Sequence, residues 1–349
     1  MPTDQTLKEK ARQDIYLTVV TCSLIAILIV LTLLGNLLVM TAFCLYKELR
    51  TITNYFLVSL SLADLLTALL AMPIFMVSRI SKENMFPGGT VFYDVWRSID
   101  LICGTASIWN LCLVSLDRLL AVASPLTHLV ILTPSRAKAA ILLVWAISAA
   151  LSGLLLLNWS HKGIAITIIS FFLPLVIIIF SYVKIYQVTT RTCALRRNGG
   201  TRLKRDIHSA KQMVIVIGVF ILCWVGFFVL TLILSTKKSL SYAINPAILD
   251  ILKSLTYLNS CINPLLFTTV SRKFKKAITD ILHCRRVNFR RRIMRNGNKT
   301  RRTNMSSLLD SSFSHNHSPT CLLKKPFLAT TEKETCVWTW TWYEYEYEF

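Results

Sequence analysis

Three ionisable residues sit inside one apolar stretch, and their types and spacing suit the recognition of charge. The stretch is DLICGTASIWNLCLVSLDRLLAV, residues 100–122, opened by Asp100 and carrying Asp117 and Arg118 toward its end. Asp100 and Arg118 are 18 residues apart, about 27 Å along a helix and close to the hydrocarbon thickness of a bilayer. One charge therefore falls near each membrane face. Ionisable side chains at membrane depth are expensive and mark functional positions by default. The alternative is a helix whose end charges snorkel to the two surfaces. A buried carboxylate needs a cation or several donors, and Lys253 and Tyr257 stand one helical turn apart on a shared face. A second polar set, Asp64, Ser107, Asn259, Ser260 and Asn263, falls at mid-depth in other apolar segments. Polar groups there have to satisfy one another. The ten cysteines include no CxxC pair, so neither a metal site nor a disulfide framework is indicated.

These residues require long apolar elements to hold them. Of 349 residues, 54% are hydrophobic and 16% charged, with a mean hydropathy of +0.53, which indicates a polytopic membrane protein and excludes a soluble globule. Apolar runs at 15–43, 54–78, 91–122, 138–158, 163–188, 206–234 and 242–270 predict seven helical spans, an all-α membrane bundle over 15–270. The first run is too long for a signal-peptide core. The net charge of +21 comes from basic residues clustered beside the spans, which argues against nucleic acid. Lys47 to Arg50, Arg136 to Lys138 and the 191–211 region are basic, whereas the alternate loops carry few charges. The positive-inside rule thus predicts residues 1–14 outside the cell and the C-terminus in the cytoplasm. No inverted repeat between halves suggests a transporter.

Residues 271–284, SRKFKKAITDILHC, place Phe274, Ile278, Ile281 and Leu282 on one face and lysines on the other, predicting an amphipathic eighth helix on the inner leaflet. Cys284 is a candidate for palmitoylation, an unmodified thiol being the alternative. Residues 285–349 read as a cytoplasmic, disordered tail. Its strongly basic start (287–302) suits anionic lipid, and its Ser/Thr-rich middle suits disorder. The closing WTWTWYEYEYEF is biased in composition.

From Gly35 to Cys284 the chain resembles a rhodopsin-like (class A) G-protein-coupled receptor, in the pattern of the biogenic-amine receptors. The motifs occur in order: Gly35-Asn36; NYFLVSLSLADLL with Asp64; Asp117-Arg118-Leu119; Trp145; FFLP with Pro174, then Tyr182; FILCW with Phe220 and Trp224; and NPLLF from Asn263 through Pro264 to Phe267. The resemblance implies a plasma-membrane, multi-pass receptor and not an enzyme. It implies that the chain would bind an extracellular small ligand, a protonated amine, and activate a heterotrimeric G protein; arrestin and kinase would act on the tail. It also implies site residues. Asp100 would pair with the ammonium, Tyr257 would hydrogen-bond that acid, and Phe227 and Phe228 would supply an aromatic wall suited to cation–π contact. Gly104, Ser170 and Trp224 complete the expected ligand set. Asp64, Ser107, Asn259, Ser260 and Asn263 match a sodium pocket, with a purely structural network as the alternative. Ile108, Pro174 and Phe220 match a packing triad beneath the ligand. The expected switch comprises Asp117, Arg118, Tyr182, Pro264, Phe267 and Asp206, the last beginning span six and restraining Arg118. Leu126 would enter the G protein.

Departures from the family pattern carry their own expectations. Tyr93 stands where the family's first disulfide cysteine would be, and the loop near 158–162 has no cysteine. Gly226 replaces the kinking proline of span six, DRL replaces DRY, and Phe267 replaces a tyrosine. Gly226 leaves span six without a proline kink but able to bend, while Asp206 and Phe267 oppose opening and imply low basal signalling. Lys253 is placed to neutralise Asp100 and compete with an amine. Two other functions stay open: a receptor of the same fold for an anionic ligand held by Lys253, and a transporter or channel. A retinal receptor is disfavoured, because Tyr257 occupies the position of the retinal lysine.

Overall fold

The computed structural model describes residues 4–81, 89–157, 159–195, 200–237 and 244–283, and every regular element among them is helical. The expected tail at 285–349 and Cys284 lie outside the described residues. In order the helices are α1 (Asp4–Leu45), α2 (Ile52–Leu66), α3 (Met72–Ser81), α4 (Gly89–Ala123), α5 (Pro125–Ile131), α6 (Pro134–Leu156), α7 (Lys162–Thr167), α8 (Leu173–Leu195), α9 (Gly200–Thr236), α10 (Pro246–Val270) and α11 (Arg272–Leu282). A single π-helical turn, Thr67–Ala71, joins α2 to α3, and another, Ile168–Phe172, joins α7 to α8. Each pair thus makes one long span.

Local chemistry sets the ends. Pro125, Pro134 and Pro246 open α5, α6 and α10, where a missing N–H costs nothing and the fixed φ suits a helix. Asn245 Oδ1 accepts from Ala247 N at 3.0 Å, and Thr133 Oγ1 accepts from Arg136 N, capping α10 and α6. Lys162 Nζ donates to the terminal carbonyls of Leu155 and Leu157 at 2.8 and 2.9 Å, closing the tight return from α6 to α7. Each π-turn lies just before a proline, Pro73 or Pro174. A proline ring clashes with the carbonyl four residues back and offers it no donor, and an extra residue in the turn relieves this.

The buried α4 packs against α2, α6 and α8; α1 packs against α2 and α10, and α9 against α10 and α7. Polar close-packing draws the helices together at two points. A Cβ on Gly35 would come within 2.9 Å of Pro264 Cγ, so glycine is required for α1 to approach α10. Pro264 leaves the Ser260 carbonyl without its helical donor, and Asn36 Nδ2 supplies one at 3.2 Å. Leucine and valine side chains such as Leu142, Leu143 and Val176 remain exposed on the outside, as lipid contact demands.

The structure adds to these expectations at four points. The first helix starts at Asp4, so the polar 1–14 segment does not stand apart from it; its charged residues continue the same helix. Asp206 does not begin the sixth helix, which starts at Gly200, and its side chain lies outside the described residues. Among the described residues, six helices are long and apolar enough by themselves to span a membrane, consistent with the expected seven-helix bundle. The seventh, α10, falls short because it carries Asp250, Lys253 and a run of Ser, Thr and Asn on its buried face. Finally, a short helix, α5, occupies what read as a connection.

Candidate functional site

Near Asp100 the helices surround a cavity of about 870 Å³. Asp100 comes from α4, Lys253 and Tyr257 from α10, and Phe227 and Phe228 from α9. Lys253 Nζ donates to Asp100 Oδ2 in a short contact, and the Tyr257 hydroxyl donates to Oδ1 at 3.2 Å. The lysine ammonium also lies 4.9 Å from the Phe227 ring centroid and 4.8 Å from that of Tyr257, within cation–π range. Tyr257 is itself wedged edge-on against Phe75, whose ring stacks on Trp96; Trp96 Nε1 then donates to the Ala71 carbonyl at 3.0 Å. That carbonyl ends the π-turn, so the bulge, two aromatics and the tyrosine form one support for the carboxylate.

The floor is aromatic. Trp224 stacks on Phe228 at 5.6 Å, and Phe228 stacks on Phe171 at 4.4 Å. Gly104 lets Trp224 approach: a Cβ there would lie 3.2 Å from Cη2. Ile108, Pro174 and Phe220 are all buried directly below, with Phe220 at 6.5 Å from Trp224. Of the expected ligand set only Ser170 does not line the cavity. It is fully buried in the π-turn, which rotates it inward, and the wall it was expected to provide comes from Ile166 and Thr167.

Deeper, the mid-depth polar set comes together. Asn263 Nδ2 donates to Asp64 Oδ2 at 2.8 Å, with Ser107, Asn259 and Ser260 also buried. Ser107 and Ser260 also turn their hydroxyls to the Asp64 carboxylate. A fully buried carboxylate with hydroxyl oxygens around it is the ligand type a hard cation or water takes.

At the other end a second cavity of about 740 Å³ is lined by Arg118, Tyr182, Phe220 and Phe267 among others. Arg118 bonds Asp117 Oδ2 through Nε at 3.1 Å and Nη2 at 2.8 Å. Two further residues join this pair. Thr53 Oγ1 donates to Asp117 Oδ2 at 2.6 Å while accepting from Arg118, and His128 Nε2 lies 2.9 Å from Asp117 Oδ1. Sequence reasoning missed both. Thr53 carries no spacing signal, but Pro125 marks a helix start, and a turn of helix there carries His128 back over Asp117. It also missed Arg79, which pairs with Asp250 at 2.7 Å beside the first cavity. Leu126 is 82% exposed. Phe267 is buried against Phe274 of α11, and Pro264 is buried against Gly35. Cys22, Cys44, Cys103, Cys112, Cys223 and Cys261 are free, and no cluster of His, Cys, Asp or Glu suited to a metal occurs among the described residues.

A sequence model described as "7 transmembrane receptor (rhodopsin family)" matches residues 35–165 and 158–267. The chain belongs to the rhodopsin family. Among similar proteins, the human Histamine H2 receptor is 33% identical over 311 residues, covering 81% of this chain and 84% of that receptor. The Alpha-1D adrenergic receptor of mouse is 30% identical over 330 residues, covering 77% of this chain and 58% of its own length. The Alpha-1A adrenergic receptor of Oryzias latipes is 31% identical over 318 residues, with coverages of 75% and 67%. This chain therefore spans little more than half of the mouse adrenergic relative. Membership of the rhodopsin family explains why the motif residues lie along one axis from Asp100 to Arg118, with two aromatic rings, Trp224 and Phe220, between the cavities.

Proposed function

We propose that this rhodopsin-family chain binds a small amine from outside the cell and responds by activating a heterotrimeric G protein. The observation that carries this reading is the Asp100 carboxylate, held by Tyr257 inside an aromatic-walled cavity. A carboxylate with aromatic faces beside it suits an ammonium, and the similar receptors named above are receptors for histamine or of the adrenergic class. A purely anionic ligand is disfavoured, because Lys253 already spends its charge on Asp100. The basic connections next to Arg118 support an orientation with that end in the cytoplasm and the N-terminus outside. G-protein contact then falls to the exposed Leu126 and the Arg118 cavity. Arrestin and kinase would act on the tail, α11 would lie on inner-leaflet lipid, and Cys284 would take a palmitoyl chain. Sodium would sit at Asp64, favouring the resting state.

A second-messenger assay in transfected cells, run against a panel of amines, tests the reading. Asp100→Ala should lower amine potency by about 2–5 kcal/mol of lost charge-assisted contact, which is about thirtyfold or more, at unchanged surface expression. Potency that ignores Asp100 would remove it.

A further inference from the structure

Lys253 gives the cavity a property that an amine site does not need. Its ammonium holds the position that a ligand ammonium would take: bonded to Asp100, between the faces of Phe227 and Tyr257. Its side chain is only 10% exposed and that of Asp100 20%. The charges lining the cavity also balance, with Asp94, Asp100 and Asp250 against Arg79, Arg97 and Lys253. Arg79 is occupied by Asp250 at 2.7 Å, and Arg97 lies over the Tyr93 ring.

Each class of entering ligand can be judged by what it leaves unpaired. A simple monoamine that takes Asp100 strands Lys253 as a nearly buried cation, and an uncompensated buried charge is strongly unfavourable. A simple carboxylate that takes Lys253 strands Asp100 in the same way. A ligand with both groups gives each residue a new partner, and the cavity stays neutral. Only that exchange replaces one ion pair by two without desolvating a lone charge.

We propose that the ligand is a zwitterion, an aromatic amino acid or a close analogue. Its ammonium binds Asp100, its carboxylate binds Lys253, and its side chain lies on Phe228 and Trp224. The volume of about 870 Å³ accommodates this size. The inference rests on the reading that Asp100 receives an ammonium, and it narrows the ligand within that reading.

The test uses full-length receptor in cells and matched pairs that differ by one carboxylate: histidine and histamine, tyrosine and tyramine, tryptophan and tryptamine. At wild type, the amino acid of the active pair should be at least about tenfold the more potent. Lys253→Met should invert the order, weakening the amino acid and strengthening its amine at matched surface expression. The methyl ester of the same amino acid is a second ligand without the carboxylate: it should lose potency at wild type and, like the amine, gain it in Lys253→Met. Amines that exceed their amino acids at wild type, or amino acids that are silent throughout, overturn the zwitterion while Asp100-dependent amine responses keep the parent reading. Responses indifferent to Asp100→Asn in both members of every pair overturn both.

Discussion

Asp117 uses two oxygens to hold three side chains, and the most informative of these is Thr53. Its hydroxyl both donates to Asp117 and accepts from Arg118, so it ties the pair to the start of α2. If Arg118 is released during signalling, Thr53→Val removes a restraint of about one net hydrogen bond, about 0.5–1.5 kcal/mol. Basal second-messenger output should then rise about two- to tenfold at matched expression; an unchanged or lower output would show that Thr53 does not restrain the switch. Asp64 offers a separate test. Its carboxylate is fully buried among the polar side chains of Ser107, Asn259, Ser260 and Asn263. Added sodium should lower agonist affinity by favouring the resting state, and Asp64→Asn should abolish that dependence. A dependence that survives in the variant would reflect surface screening. Single positions were readable from sequence to different degrees. The contact of Lys253 with Asp100 followed from residue type and register. Ser170 did not line the cavity, because a π-turn shifts the helical phase by one residue and turns that side chain inward. His128 was missed because it reaches Asp117 from a separate helix, α5, across the break at Ser124.

The helices themselves were readable because crossing a membrane needs a long apolar run. Their irregularities were less so, although Pro73 and Pro174 mark both π-turns. Length alone also could not show that α1 continues back to Asp4, because nothing in the polar segment stops a helix. The packing of α1 on α10 makes a direct prediction. Gly35→Val would place side-chain carbon against the rigid Pro264 ring, where a Cβ alone already meets Cγ at 2.9 Å. Overpacking of this kind costs about 1–3 kcal/mol. Asn36→Ala would strand the Ser260 carbonyl that Pro264 leaves without a donor, at a similar cost of about 1–3 kcal/mol. Both should lower the thermal midpoint of the detergent-solubilised protein. A midpoint within error of wild type for Asn36→Ala would mean that the carbonyl finds another partner.

Across the molecule, the two cavities lie at opposite ends of α4, one bounded by Asp100 and the other by Arg118, with Trp224 and Phe220 between them. That arrangement lets a change at one end alter packing at the other through two adjacent rings. Family membership rests on the motif set and the matched residues 35–267; the choice of an amine rests on Asp100 and its surroundings. The most direct measurement is therefore nucleotide exchange on a purified heterotrimeric G protein by the full-length chain reconstituted in lipid, with and without the active ligand, for wild type and for the isosteric Asp100→Asn. The proposed function predicts ligand-stimulated exchange at wild type and its loss in Asp100→Asn, both compared at matched amounts of reconstituted protein and each against its own basal exchange. Equal stimulation in both proteins, or no stimulation by any ammonium-bearing compound at wild type, would contradict it.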